Sequence, residues 1–169
     1  MTLGKIEFAE SDGTYVLKLT GEMRLTLCSS LENFLQAMLN TTGFRSVVID
    51  LSETETIDST SLGLLAKLSI MAWKKVQLRP VLLSPRHDIT RILMSMGFER
   101  IFIIVEDSSQ QTSDYHDITC DDCSEESTRA RVLDAHRVLM SLNENNRKAF
   151  SDLVKQLEHC HQHEATGTC

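Results

Sequence analysis

Over residues 1–106 the apolar positions alternate between short β-branched runs and stretches in which they return every three or four residues. Residues 5–9 and 14–20 (Thr14-Tyr15-Val16-Leu17-Lys18-Leu19-Thr20) read as two strands. Glu10-Ser11-Asp12-Gly13 joins them, and its Asp-Gly is a hairpin-turn signal. Leu27, Leu31, Phe34, Leu35 and Met38 then mark one apolar face of a helix spanning about 26–40. The run 46–51, with Val47-Val48-Ile49-Asp50-Leu51, is a buried strand by its continuous apolar content. A second helix over 59–74 presents Leu62, Leu65, Leu68, Ile70 and Trp73, and Gly63 is expected to help seat it on the sheet. Residues 76–84 read as a strand, which Pro80 either weakens or places near an edge. Pro85 opens a helix over 85–96 with Ile89, Ile92, Leu93 and Met96 inward and Gly97 at its end. Met94 is read as core as well, and 101–105 is the last strand. The order β-β-α-β-α-β-α-β implies an α/β fold with a mixed sheet of about five strands.

The pattern changes after Val105. Residues 107–128 are rich in Ser, Gln, Thr and Asp, carry no Lys or Arg, and read as an acidic flexible linker. Helical periodicity returns over 129–158 in two stripes: Val132, Leu133, Ala135, Val138, Leu139 and Leu142, then Phe150, Leu153, Val154 and Leu157. Asn143-Glu144-Asn145-Asn146 between them reads as a turn, which predicts an α-helical hairpin; one long helix is the other option. Residues 159–169 are left as a tail.

The chain has 169 residues and a formal net charge of -7, which argues against nucleic acid or anionic membrane as partners. No apolar run is long enough to span a bilayer, and Met1-Thr2-Leu3-Gly4-Lys5-Ile6-Glu7 holds no signal-peptide core. The expectation is a cytoplasmic protein with its five cysteines reduced.

The densest chemistry lies at Ile57-Asp58-Ser59-Thr60-Ser61-Leu62-Gly63-Leu64-Leu65, where an acid and three hydroxyls crowd a helix start. Such hydroxyls can simply cap the helix. A helix start is also a place where an added phosphate is stabilised, by free backbone N–H groups and the positive end of the helix dipole. This segment, with Val47-Val48-Ile49-Asp50-Leu51, Leu19-Thr20-Gly21-Glu22 and Leu83-Ser84-Pro85 leading to Met96-Gly97-Phe98, resembles the STAS domain of bacterial anti-sigma factor antagonists. The resemblance covers about residues 3–106. It departs from the family at Ser61, usually Gly, and at Arg24, often Asp.

The resemblance implies partner switching. Ser59, directly after the motif aspartate, corresponds to the serine phosphorylated by a kinase that is often itself the anti-sigma factor; a PP2C-type serine phosphatase reverses it. Glu22, Arg24, Asp58, Ser59, Thr60 and Ser61 become the expected partner-binding residues, and no catalytic residue or cofactor is expected. Phosphate would add roughly -1.5 to -2 charge beside Asp58, Glu55 and Glu53. It is expected to block a docking face more than to reshape the fold. Some antagonists with such an extension regulate motility and biofilm programmes through a flagellar anti-sigma factor.

Two other readings stand beside this one. A STAS adaptor subunit of a transporter complex, such as a lipid-transport ATPase, would share the domain. A metal-binding protein would use Cys120, Cys123, His159, Cys160, His161 and His163, residue types suited to zinc. Closing that site would require the C-terminal hairpin to fold back. No nucleophile elbow and no phosphate-binding Gly-rich loop is present.

Overall fold

A computed structural model describes residues 2–107, 114–119 and 124–165, with side chains as far as Cys160. Strands β1 (Lys5–Ser11) and β2 (Thr14–Met23) form the expected hairpin. Asp12 and Gly13 both have positive φ (49° and 82°), the conformation that two-residue turns between twisted strands require. Helix α1 (Cys28–Asn40) follows, then β3 (Ser46–Asp50), β4 (Thr54–Ile57) and helix α2 (Ser59–Val76). β5 (Val81–Leu83), α3 (His87–Ser95) and β6 (Ile103–Val105) complete the N-terminal unit. The sheet order is β6-β5-β3-β2-β1, with parallel pairing except in the β1–β2 hairpin. The mixed α/β architecture is the expected one.

The differences have local causes. β4, whose four residues carry too little apolar content to predict a strand, pairs in parallel with the far end of β2, across an irregularity at Gly21 and Glu22. β5 is shorter than expected, since α2 runs to Val76, and it lies between β3 and β6 rather than at an edge. Pro80 sits just before that ladder and contributes only its carbonyl, which accepts from the Ile103 N–H. Met94 and Trp73 are about half exposed rather than core (48% and 47%), because α3 buries Ile89 and Leu93 and the buried stripe of α2 passes through Leu65, Leu68 and Ala72.

In the segment read as linker, His116 and Asp117 form a short strand, β7, antiparallel to β1. The C-terminal unit is a hairpin of α4 (Glu125–Met140) and α5 (Glu144–Ala165), not one long helix. Ser124 caps α4 four residues ahead of the expected start, accepting from the Ser127 N–H at 3.1 Å. α5 extends well into the segment read as a tail. The Asn143 side chain accepts from the Asn146 N–H and starts α5, while Asn146 donates to the carbonyls of Leu139 and Met96. Arg100 donates to the Leu142 carbonyl, so the hairpin turn is tied to the end of α3.

One core joins both units. Leu17 and Leu19 of β2, Ile49 of β3, Leu82 of β5, Leu65 and Leu68 of α2, and Leu139 and Leu142 of the hairpin share it. Every residue from Thr60 to Ala66 is buried, which is more than one helix face. α2 is covered on both sides, by the core on one and by α4 on the other.

Candidate functional site

Asp58 stands at the junction of β4 and α2. Its own N–H donates to the Met23 carbonyl at 3.0 Å, which fixes the end of β4 beside the end of β2. Its carboxylate accepts from the Ser61 N–H at 2.8 Å, an N-cap that satisfies one of the free donors of the first turn. Ser59 is thereby the first residue of α2, half-buried at the mouth of the helix.

The Ser59 hydroxyl does not face open solvent alone. Its Oγ lies 2.8 Å from Nε2 of His136, a residue of α4 that is only 2% exposed. The other ring nitrogen, Nδ1, lies 2.6 Å from the Val132 carbonyl. A carbonyl only accepts, so Nδ1 carries the proton and, in the neutral ring, Nε2 accepts from the Ser59 hydroxyl. The imidazole also meets Phe150 of α5 edge-on, with ring centroids 5.0 Å apart.

Further along, α4 packs across α2. Gly63 faces Ala135 so closely that any side chain there would collide with the Ala135 carbonyl, so this glycine seats α4 rather than the sheet. Beyond it, Lys67 bonds Asp134 of α4 at 2.6 Å and Glu32 of α1 at 3.3 Å. Arg131 of α4, with its side chain 9% exposed, bonds the other Glu32 oxygen at 2.6 Å. Desolvation pulls the Lys67 ammonium down, but the bonds to Asp134 and Glu32 outweigh it and hold the group above the ordinary lysine range. Glu32 thus ties α1, α2 and α4 together.

The remaining expected residues divide into two groups. Glu22 and Arg24 lie at the end of β2 and just after it, paired at 2.6 Å, with the Arg24 guanidinium mostly exposed. With Asp58 and Ser59 they are the expected residues at or near the surface. Thr60 and Ser61 are buried (6% and 3% exposed) and turned away from solvent. The Ser61 hydroxyl lies 3.4 Å from the Cys28 sulfur. Burial pushes the Cys28 thiol up to about 11, against a smaller opposing effect of the Ser61 bond.

Among the metal candidates, His159 and Cys160 are exposed on α5. Cys120 and Cys123, and the side chains of His161 and His163, lie outside the described residues, and among the described residues no group of three or more such side chains is placed to hold a metal. No helix among them is long and apolar enough to cross a membrane. A cavity of about 430 Å³ lies along the C-terminal half of α2, between Ser69, Trp73, Arg79 and Arg100, apart from Ser59.

His136 is the site residue that the sequence reading missed. It falls on the same stripe as Val132, Ala135 and Leu139, and a polar side chain on an apolar face is the signal that could have marked it.

An α/β domain with a capped serine at the mouth of its central helix is the arrangement of a STAS domain. A family model described as "Mlab, STAS domain" matches residues 6–106, more than half of the chain, and the chain belongs to the STAS family. Solved structures agree on the fold. The anti-sigma factor antagonist SpoIIAA in its unphosphorylated form is 15% identical, with a TM-score of 0.52 over 63% of this chain and 90% of that one. An anti-sigma factor antagonist from Mycobacterium paratuberculosis is 23% identical, with a TM-score of 0.52 over 62% of this chain and 87% of that one. TM1081 is 21% identical, with the same score over 58% and 78%. The α4–α5 hairpin lies beyond the family match.

Proposed function

We propose that this chain is an anti-sigma factor antagonist that works by partner switching. Unphosphorylated, it binds an anti-sigma factor or related regulator and so frees a sigma factor; phosphate on Ser59 releases the regulator. The kinase is the anti-sigma factor or a companion serine kinase, and a PP2C-type phosphatase resets the switch. The sigma factor's output is motility or biofilm formation. The chain acts by binding, with no catalytic residue or cofactor of its own, in the cytoplasm.

The observation that carries this reading is the placement of Ser59. A half-buried hydroxyl on the first residue of an Asp-capped helix stands at the positive end of the helix dipole. A dianion there is compatible with the helix, so the STAS fold survives modification. The Glu22–Arg24 pair flanks Met23, whose carbonyl accepts from the Asp58 N–H beside Ser59, and with Asp58 it supplies a charged rim whose complement a partner would read. A transporter adaptor would share the fold, but the direct bond from the C-terminal extension to the switch serine favours a regulated antagonist.

The test compares tagged wild-type, Ser59→Ala and Ser59→Asp chains for the protein that co-purifies from the source cells. Ser59→Ala should retain it constitutively and Ser59→Asp should lose it. Equal retention by both, with Ser59 unmodified in cellular material, would overturn the assignment.

A further inference from the structure

The hairpin sits on the switch. Three contacts join consecutive residues of α4 to successive turns of α2: His136 to Ser59, Ala135 to Gly63, and Asp134 to Lys67. The first of these uses the very atom that phosphorylation would esterify.

From this geometry we infer that the α4–α5 hairpin forms part of the docking surface around Ser59, seated only while Ser59 is unmodified, and that phosphate on Ser59 unseats it. The inference rests on the reading of Ser59 as the phosphorylated residue and adds how the phosphate acts. Esterification removes the hydroxyl proton that His136 Nε2 accepts. It also places three oxygens where the ring now lies 2.8 Å from Oγ. If the modified side chain turns toward solvent instead, a buried imidazole nitrogen loses its partner, which is costly. Asp58 repels the added charge from one side. On α4, Arg131 and Asp134 already pair with Glu32 and Lys67, and neither can turn to the phosphate without breaking those bonds.

Two consequences follow for the partner. In the unmodified state it meets a composite face: the Asp58–Ser59 corner, Glu22 and Arg24, and the adjoining side of α4. After phosphorylation that face is dismantled as well as charged, while the STAS sheet stays folded. A regulator that spans both units is therefore released by loss of shape, not by repulsion alone.

The experiment is hydrogen exchange on the full chain with phosphoserine installed at position 59 by codon reassignment, against the unmodified chain. Amides of α4 should exchange at least tenfold faster in the phosphorylated chain, with new tryptic cleavage after Arg131 and Arg137, while β3 stays protected. Gly63→Ala, which forces the same helices apart without charge, should give the same pattern. Unchanged or increased protection of α4, as an imidazolium–phosphate pair would produce, overturns the inference. Loss of protection across the sheet overturns it too, since the response would not belong to the hairpin. Absence of Ser59 phosphate in cells would instead overturn the switch itself and leave the exchange result standing.

Discussion

Gly63 of α2 and Ala135 of α4 stand so close that the space for a side chain on the first is filled by the backbone carbonyl of the second. The intimacy of the two helices depends on that missing β-carbon. Gly63→Ala gains helix propensity by roughly 1 kcal/mol, but overpacking a tight contact costs about 1–3 kcal/mol, so the clash should win. Urea denaturation should show a lower midpoint for Gly63→Ala and a lower one still for Gly63→Val. Adding Ala135→Gly should restore it only in part, because it removes the obstructing Ala135 Cβ but leaves the carbonyl carbon and oxygen that every residue carries.

Much of this architecture was legible in the chain. The Asp12-Gly13 turn, the apolar stripe of α1 and the Val47-Val48-Ile49 strand announce themselves, because each element's burial follows its own period. The helix start at Ser59 was readable for the same local reason, although its cap is the Asp58 carboxylate and not one of the hydroxyls that follow. β4 and β7 were not, since strands of four and two residues are held by ladder bonds to β2 and β1 and leave no pattern of their own. Nor could the seating of α4 on α2 be read. A glycine in a helix and a histidine on an apolar stripe acquire meaning only when the two helices meet, and residues 59 and 136 are far apart in the chain.

Removing the Ser59 hydroxyl tests how much the pair contributes. Ser59→Ala leaves His136 Nε2 buried without a donor, which costs about 1–3 kcal/mol. His136→Phe keeps a ring against Phe150 and removes the nitrogen that needs a partner. A double-mutant cycle should therefore be non-additive: with phenylalanine at 136, Ser59→Ala should cost little. Additive losses in thermal melting would mean that the bond contributes nothing to holding α4.

Glu32 should matter more than Asp134, although each bonds Lys67. Glu32 also accepts from Arg131, whose side chain is nearly buried, so Glu32→Gln leaves a desolvated guanidinium with a weakened partner. The Asp134 side chain is about half exposed, and its pair with Lys67 is open to screening. Glu32→Gln should lower stability by about 1–3 kcal/mol and Asp134→Asn by under about 1 kcal/mol. The Asp134 effect should fade with added salt and the Glu32 effect should persist, as melts at low and high ionic strength would show.

Stability should fall on the alkaline side, with Cys28 as the main cause. Burial raises its thiol from 9.0 to about 11, so the folded chain holds a proton that the unfolded chain releases. A group raised on folding contributes fully below its unfolded value and loses that contribution as pH climbs through its folded one. Between pH 9 and 11 the unfolding free energy should therefore drop by about 1 kcal/mol per pH unit. Lys67, also raised, acts in the same direction at the upper end of that window. Cys28→Ala should be less stable at neutral pH, because it vacates a buried position, yet should show a flatter alkaline limb. Urea midpoints measured from pH 8 to 11 check both. A limb of equal slope in the variant would assign the alkaline loss to other groups. The same burial should keep the native Cys28 thiol unreactive toward alkylating reagents at pH 8, with labelling by mass spectrometry appearing only as the chain unfolds.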